Sequence, residues 1–292
     1  MSGLPTLDAA TTDVAGATEQ LRRDGVILLR QVAPVIAASV ADDLAQAFET
    51  TPFSQGPFYG DHTVRFGRLP ARSAAAAALI LDPLVYGVVA ATLGRWHSEI
   101  SLSFTQGVAV HPGAPVQVPH RDGEMWPVPP SEAEHLVNVL WPLTDFRVDN
   151  GATRVWPRSH RGGAGAAAEP CYAEMRRGDA LVMLGSTLHG AGANGSDADR
   201  RAIIFGFTPA WLLPSENPAL AYPPPVARTL PRALTQLLGY RRFAPNLNNV
   251  DCRCPSEFLT ETGLGQGAVD ELTLDQRARL EGFYARLREE MA

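Results

Sequence analysis

The sequence predicts a mainly β fold with flanking helices, in the form of a sandwich or jelly roll. After Trp96 the chain contains six short β-like runs, separated by turn residues such as Asn150-Gly151 and Asn194-Gly195. Before Trp96, at about 12–94, and again at 273–290, the apolar residues follow helical spacing instead. Repeated short strands with such punctuation are typical of sandwiches and jelly rolls.

The N-terminal region is predicted to hold helices around one buried strand. "TTDVAGATEQLRRDG" is a helix ending near Gly25, "VILLRQV" is the strand, and "IAASVADDLAQAFET" is an amphipathic helix. Residues 51–70 are predicted as a loop. The apolar stretch 74–94 is interrupted by Asp82-Pro83, which we expect to cap and open a second helix. Neither half reaches the ~20 residues that a membrane span needs.

The β region is expected to form the core of a single domain. Its runs are "EISLSFTQGVAVH", "APVQVPHRD", "HLVNVLWPLTDF", "ATRVWP", "DALVMLG" and "RAIIFGFTPAW". Without a repeat or a long linker, one domain is expected over 1–292. Its parts are N-terminal helices at about 12–94, a core at about 97–212, and a C-terminal irregular region with a helix at 213–292.

The composition restricts the partners and the compartment. The chain has 292 residues, 45% of them hydrophobic, and a net charge of −6, which argues for a packed core and against nucleic-acid or anionic-membrane partners. Cys171, Cys252 and Cys254 cannot form a disulfide framework, and no secretory signal opens the chain. We therefore expect a cytoplasmic protein. Cys252 and Cys254 have no second ligand pair at zinc spacing and are interpreted as turn residues.

Two histidines and one aspartate suggest a metal site. In "PVQVPHRDGEMWP", His120 and Asp122 are two residues apart and would share one face of a strand. His-X-acid spacing is weak evidence alone, since His97-Ser98-Glu99 has it too. A further histidine, His189, follows another strand-like run, and two histidines with one carboxylate form the facial triad of non-haem Fe(II) oxygenases. A jelly roll could pair the two segments.

Arg200 is the candidate anchor for a carboxylate. It lies eleven residues after His189, at the start of the run "RRAIIFGF". A planar guanidinium can hold a carboxylate through two hydrogen bonds, which a lysine cannot. The neighbouring Arg201 is expected to point to the opposite face, toward solvent.

Several segments together resemble a known family. "HRDG", "LWPLTDFRVDNGATRVWPRSH", "GSTLHGAGANGSDADRRAIIFGF" and, more loosely, "LLGYRRFAPNLNNVDCRCP" are similar to the phytanoyl-CoA dioxygenase (PhyH) family of Fe(II)/2-oxoglutarate-dependent oxygenases, in its natural-product branch. The resemblance runs from about Leu28 to Pro255. It implies a double-stranded β-helix (jelly roll, cupin-like) that uses Fe(II), 2-oxoglutarate and O2. Arg158 stands where the family usually has glycine, which leaves the geometry of that turn open.

The resemblance also implies roles for individual residues. His120, Asp122 and His189 would be the iron ligands, and Arg200 would bind the distal carboxylate of 2-oxoglutarate. Gln117 and Thr153 match positions that contact the co-substrate. Met125 and Trp126 lie just past the ligands and suit either a substrate pocket or the core, while Phe66 and Arg68 are candidates for the pocket rim. The remaining histidines are predicted to be structural or exposed: His62, His97, His111, His135 and His160.

The implied activity is oxidation of an unactivated C–H bond with release of succinate and CO2. Related halogenases lack the carboxylate, so Asp122 favours hydroxylation, desaturation, ring formation or epoxidation. We expect a small hydrophobic substrate, because no basic cluster suits CoA phosphates; a cavity lined by lysines and arginines would favour a charged substrate instead. The resemblance leaves a homodimer open.

Two other classes of function remain at this stage. A cupin-type metal dioxygenase or isomerase would not use 2-oxoglutarate, and Arg200 would then have no role. A non-catalytic binding module would keep the fold without the chemistry, which an intact triad argues against.

Overall fold

The structure, a computed structural model, describes residues 3–127, 133–161, 169–244 and 246–291. Its centre is a seven-stranded mixed sheet faced by a smaller three-stranded sheet. The large sheet has the order β1 (Thr6–Asp8), β2 (Val26–Arg30), β8 (Ala180–Leu184), β5 (Val137–Pro142), β10 (Arg200–Pro209), β4 (Ile100–Val110) and β3 (Thr63–Phe66). The small sheet has the order β7 (Cys171–Ala173), β6 (Thr153–Val155) and β9 (His189–Gly190).

Four helices precede most of the strands, and four follow them. The first group is α1 (Val14–Asp24), α2 (Pro34–Thr50), α3 (Ala74–Ile80) and α4 (Pro83–Leu93); the second is α5 (Pro218–Ala221), α6 (Pro224–Ala227), α7 (Arg232–Leu237) and α8 (Leu274–Glu290). Short 3-10 helices lie at Leu69–Ala71, Asp122–Met125, Ser159–Arg161 and Pro255–Leu259.

The sequence signals at the helix ends act as predicted. Gly25 ends α1 in the left-handed region at φ 77°, which a residue without a Cβ adopts at no steric cost. The Asp82 carboxylate accepts hydrogen bonds from the backbone N–H groups of Leu84 and Val85, and Pro83 is the first residue of α4.

The two faces of the large sheet bury different sets of side chains. On one face, Val139 of β5 and Phe205 of β10 pack with Leu44 of α2 and Val88 of α4 in the main core. On the other face, residues such as Leu140, Leu181 and Ala202 form a second cluster with Val155 and Ala173 of the small sheet. Since strand side chains alternate between faces, every second residue of β5, β8 and β10 points toward the space between the two sheets.

Two segments differ from the predicted secondary structure. Residues 115–119, predicted as a strand, form no regular element, and His120 takes part only in an isolated β-bridge. The predicted loop 51–70 contains β3, which pairs antiparallel with β4 from Thr63 to Phe66. Its aromatic and β-branched residues suit a strand, but the Gly and Pro around them outweigh that signal in the sequence.

Arg158 adopts the backbone conformation that glycine would favour. Its φ is 67°, in the left-handed region, so the turn keeps its geometry although the residue has a side chain. Its guanidinium donates to Asp24 Oδ1 at 2.8 Å, and its backbone N–H donates to the Asp24 carbonyl at 2.7 Å. These contacts offset a conformational strain of about 1–2 kcal/mol.

Among the described residues, no single helix is long and apolar enough to cross a membrane. The pair α3 and α4 passes such a test together by length and composition alone, with a bend of 51° between them. Both helices contribute buried side chains to the main core.

Candidate metal centre and co-substrate cavity

A cavity of about 400 Å³ lies between the two sheets, open to the surface on one side. The large sheet supplies its floor through inward-facing residues of β4, β5, β8 and β10, and the small sheet supplies Thr153 and His189. The segment 117–125 closes one side, and the segment 58–67, which includes β3, closes another. The volume suits one small organic molecule beside a co-substrate.

The backbone brings His120 and His189 together. Their backbones form a reciprocal pair of hydrogen bonds, His120 N–H to His189 O at 2.9 Å and His189 N–H to His120 O at 3.0 Å. The segment before His120 lies along β9, where a Cβ on Gly190 would come within 3.2 Å of the Gln117 carbonyl oxygen. The predicted proximity of the two histidines is therefore present, although only a bridge, and no regular strand, provides it.

Asp122 lies beside the two histidines, but the element that positions it differs from the predicted one. It is the first residue of the 3-10 helix Asp122–Met125, so the two-residue strand spacing does not explain its position. Its Oδ1 lies 3.3 Å from His120 Nε2 and its Oδ2 lies 3.5 Å from His189 Nε2. The three side chains offer ligand atoms that all lie within 4.8 Å of one another.

Both imidazoles are held in the form that binds a metal. His120 Nδ1 is 2.9 Å from the Val118 carbonyl oxygen, and His189 Nδ1 is 3.1 Å from the Thr187 carbonyl oxygen. A carbonyl can only accept, so each Nδ1 carries a proton, and in the neutral ring each Nε2 presents its lone pair toward Asp122. Burial lowers the pKa of His189 and so favours its neutral form, while the neighbouring Asp122 and the Val118 carbonyl outweigh burial and raise the pKa of His120.

Asp122 remains ionised at neutral pH. Burial acts to raise the pKa of its carboxyl group, but His189, His120 and the amide of Asn138 stabilise the charged form and bring it to about 2. Asn138 on β5 donates to Asp122 Oδ2 at 2.6 Å. The centre thus presents one anionic oxygen ligand and two imidazole nitrogens, which with both rings neutral form the donor set of a ferrous facial triad.

Arg200 is a buried cation without an anion. It is 3% exposed, and among the described residues no carboxylate pairs with it and its Nε has no hydrogen-bond partner. Its guanidinium carbon lies 4.2 Å from the ring centre of Phe146. Burial and the positive charge of Arg65 lower the pKa of Arg200. A buried guanidinium of this kind is costly unless a ligand neutralises it, and it therefore fits a bound carboxylate.

Arg65 is a second cation in the cavity that the sequence analysis missed. It lies on β3, donates to Gln106 Oε1 at 2.7 Å and stacks over the Tyr59 ring. Its Nε has no described hydrogen-bond partner, and burial lowers its pKa. The sequence feature that could have indicated Arg65 is its place inside the β-like run "HTVRF". The prediction of a loop over 51–70 left this run unrecognised.

The predicted co-substrate residues both line the cavity. Gln117 accepts a hydrogen bond from the Ala191 N–H at 3.1 Å and donates to the Phe58 carbonyl at 3.3 Å, so its side chain joins β9 to the loop at the cavity entrance. Thr153 is buried on β6. Arg201 points to the opposite face of β10 as predicted, but it is ion-paired with Asp199 and lies over Phe48 rather than in free solvent.

The predicted substrate residues divide between the cavity and other places. Met125 lines the cavity and is 52% exposed at its rim. Phe66 instead points into the main core against Phe48, because β3 turns Arg65 to the cavity face and its neighbour away. Arg68 and Trp126 are absent from the lining: Arg68 donates to the Ala221 carbonyl, and Trp126 to the Leu213 carbonyl at 2.8 Å. Arg65 and Gly67 therefore line the cavity where Phe66 and Arg68 were predicted to do so.

The other histidines lie outside the cavity lining. Glu216, a residue that the sequence analysis did not select, lines it from the irregular region after β10. One oxygen of its carboxylate accepts from the Arg68 backbone N–H at 2.8 Å, and the other lies 3.2 Å from the Tyr222 hydroxyl and 3.3 Å from the Thr105 hydroxyl. Both of its oxygens are therefore hydrogen-bonded within the protein, by neutral donors.

The residues present fit iron and 2-oxoglutarate. The triad supplies the ligand types that Fe(II) accepts and occupies one side of the centre. Arg65 and Arg200, which form no ion pair with any described carboxylate, match the two carboxylates of the co-substrate. A cupin-type centre rich in histidine would require further imidazoles here, and among the described residues the group consists of His120, Asp122 and His189.

The sequence model of the family described as Phytanoyl-CoA dioxygenase (PhyH) matches residues 21–202, more than half of the chain. The chain belongs to this family and is a non-haem Fe(II)/2-oxoglutarate-dependent dioxygenase, as the resemblance predicted. It is 28% identical to the dioxygenase cdmA of Talaromyces verruculosus over 80% of this chain and 85% of that protein. It is also 28% identical to the dioxygenase trt7 of Aspergillus terreus over 77% and 83% of the two chains.

Solved structures share the fold at low sequence identity. HygX from Streptomyces hygroscopicus, with nickel and 2-oxoglutarate bound, matches with a TM-score of 0.55 and 15% identity over 68% of this chain and 88% of that one. The 2-oxoglutarate-dependent carbocyclase SnoK from nogalamycin biosynthesis matches with a TM-score of 0.56 and 16% identity over 72% and 92%. The predicted double-stranded β-helix with flanking helices is thereby confirmed.

Proposed function

We propose that this dioxygenase oxidises an unactivated C–H bond of a small hydrophobic, natural-product-like molecule, with His120, Asp122 and His189 as the iron ligands. The observation that carries the metal assignment is the convergence of one carboxylate and two Nε2 lone pairs within 4.8 Å, in a cavity open to a second ligand. Bound iron, 2-oxoglutarate and O2 supply an oxidant strong enough to remove hydrogen from carbon, with succinate and CO2 as the by-products.

Arg200 and Arg65 are the proposed partners of 2-oxoglutarate. The co-substrate carries two negative charges, and the cavity offers two guanidiniums whose Nε atoms have no hydrogen-bond partner among the described residues. Arg200 is the more buried of the two and forms no ion pair within the described part of the chain, so it would bind the distal carboxylate through a paired contact. Gln117 and Thr153 would complete the pocket beside it.

The charges in the cavity support an apolar substrate. Once iron and 2-oxoglutarate are bound, Asp122 and both arginines would have charged partners, and the Glu216 oxygens are hydrogen-bonded to the Arg68 backbone N–H and to the hydroxyls of Tyr222 and Thr105. The rim consists of exposed apolar side chains: Phe58, Tyr59 and Met125 are 48%, 47% and 52% exposed. Exposed apolar side chains gathered at the mouth of a pocket suit a hydrophobic ligand, so the presence of two arginines does not favour a charged substrate.

The proposed reaction is an oxygenation or a related C–H oxidation. Each turnover would consume one 2-oxoglutarate and one O2. Hydroxylation adds one oxygen atom to the substrate and releases the other in succinate; desaturation or ring formation removes two hydrogens and releases water. The structural neighbours SnoN and SnoK are described as an epimerase and a carbocyclase. Their descriptions support a range of outcomes on such a centre.

The test is substrate-stimulated succinate formation. We expect polycyclic hydrophobic compounds to raise succinate formation above the rate without substrate, and acyl-CoA thioesters to leave it unchanged. Mass spectrometry of the products would distinguish oxygen gain from hydrogen loss. Stimulation by CoA thioesters but by no apolar compound would contradict the substrate class, and absence of succinate under every condition would contradict the proposed chemistry.

A matched pair of variants tests the rim. Met125→Gln should raise the KM for an apolar substrate and leave the KM for 2-oxoglutarate unchanged, since burying a methionine contributes about 1.5–3 kcal/mol. Met291→Gln, at an exposed position at the chain end, is the control and should change neither value. Equal changes in the KM for the apolar substrate in both variants would contradict the assignment of Met125 to the substrate rim of the cavity.

A further inference from the structure

Asn138 is a buried polar residue in the middle of the large sheet. It lies on β5 between Met183 of β8 and Gly206 of β10, and it is 2% exposed. Its chain neighbours Val137 and Val139 point into the main core, whereas Asn138 points into the cavity. A position in a central strand between two apolar neighbours usually holds another apolar residue on the buried face.

The side chain of Asn138 is oriented by a single contact. Its Nδ2 donates to Asp122 Oδ2 at 2.6 Å. A carboxylate oxygen accepts and does not donate, so the amide nitrogen must face it, and this fixes which end of the amide is which. The opposite atom, Oδ1, is buried and has no hydrogen-bond partner among the described residues.

This arrangement is poor for stability taken alone. A buried acceptor without a partner costs about 1–3 kcal/mol, and an apolar residue of similar size would avoid that cost. The hydrogen bond that remains acts on one group, the carboxylate of Asp122. It occupies Oδ2, while Oδ1 is the oxygen nearest to His120 Nε2.

We propose that Asn138 is a positioning residue for the metal centre: it fixes the rotation of the Asp122 carboxylate, which places Oδ1 beside His120 Nε2 and Oδ2 beside His189 Nε2. This inference rests on the proposed iron site. Without the amide, Asp122 would rotate about its side-chain bonds and would bind the metal less tightly. Partners that orient metal ligands in this way typically contribute 10–100-fold to metal affinity or activity.

The test compares Asn138→Leu with the wild-type chain by calorimetric titration with Ni²⁺, which resists oxidation. We expect the dissociation constant for the metal to rise by about 10–100-fold. The unfolding temperature of the metal-free variant should stay equal or rise, because the unpaired Oδ1 is removed. At saturating Fe(II), part of the succinate formation should return, since Asn138 acts through Asp122.

Two further variants define the result. Leu140→Met, two residues along the same strand face, keeps the volume and should leave the metal affinity unchanged. Asn138→Ala also removes the donor and serves if the leucine variant does not fold. If both Asn138 variants bind the metal as tightly as the wild type, the positioning role is overturned. A loss of stability without a change in metal affinity would also overturn it. A wild-type chain that binds no divalent metal would overturn the iron assignment and this role together.

Discussion

Arg200→Met is the substitution whose consequences the structure defines most closely. Methionine replaces the guanidinium with an apolar side chain that can fill much of the same buried space. The wild-type guanidinium is 3% exposed and has no carboxylate partner among the described residues, so its charge is available to a bound ligand. We expect the variant to lose affinity for 2-oxoglutarate while the protein itself keeps its fold.

The magnitude follows from the burial of the pair. Removing one partner of a buried ion pair costs about 3–5 kcal/mol, and each factor of ten in affinity corresponds to about 1.4 kcal/mol. Metal chelation and Arg65 retain part of the binding, so the lower half of this range applies. We therefore expect the KM for 2-oxoglutarate to rise by about 10²–10³-fold, with a smaller change in kcat at saturating co-substrate.

Steady-state succinate formation at varied 2-oxoglutarate measures this effect, and thermal unfolding provides a second measurement. In the wild type, saturating 2-oxoglutarate with metal should raise the unfolding temperature by mass action, and in Arg200→Met the shift should be lost at the same concentration. The ligand-free variant should be at least as stable as the wild type, because an unpaired buried charge has been removed.

Arg201→Met is the matched control. Arg201 lies on the opposite face of β10 and is paired with the partly exposed Asp199. Its loss should cost no more than about 1 kcal/mol of stability and should leave the KM for 2-oxoglutarate unchanged. Equal KM values in wild type and Arg200→Met, or equal increases in both variants, would refute the assignment of Arg200.

Substitutions at three further positions have defined outcomes. Arg65→Met should raise the KM for 2-oxoglutarate by less than Arg200→Met does, because Arg65 already donates to Gln106; a larger effect at Arg65 would reverse the proposed order of the two cations. Arg158→Ala should be less stable than Arg158→Gly by about 1 kcal/mol in chemical denaturation. Both variants lose the side-chain hydrogen bond to Asp24, but only glycine suits φ 67°. Equal stabilities of the two variants would show that the turn is not strained. Burial acts to raise the pKa of Asp24, but Arg158 and Arg23 outweigh burial and lower that pKa. The ionised carboxylate therefore stabilises the fold at pH values above the unfolded pKa of about 4. This stabilisation is lost as the pH falls through the lower pKa of the folded state. Asp24→Asn should therefore be less stable than the wild type at pH 7 and should lack this part of the acid transition; parallel stability curves between pH 7 and pH 2 would contradict it.

The part of the site that follows from local sequence was predictable. His189 and Arg200 lie beside runs with strong strand character, and Gly25 and Asp82 follow helix-capping chemistry that depends on only a few neighbouring residues. The pattern of types, two imidazoles and a carboxylate, indicated the metal centre without knowledge of the fold.

The geometry that depends on distant pairing was not predictable. His120 and Asp122 were expected on one strand face, but a bridge to β9 places the first and a 3-10 helix places the second. Arg65, and not the predicted Phe66, faces the cavity, because a shift of one residue in strand register reverses the faces and the sequence of β3 does not fix which face is buried. Glu216 and Asn138 carry no motif, and contacts between residues that are distant along the chain help to place them: Arg68 lies 148 residues from Glu216, and Asp122 lies 16 residues from Asn138.

Anomalous X-ray scattering at the iron absorption edge tests the central claim most directly. Crystals of the chain prepared with Fe(II) and 2-oxoglutarate without oxygen should show one iron peak bound by His120 Nε2, His189 Nε2 and an oxygen of Asp122, with the co-substrate carboxylate on Arg200. An iron peak elsewhere, or 2-oxoglutarate bound away from Arg200, would contradict the account.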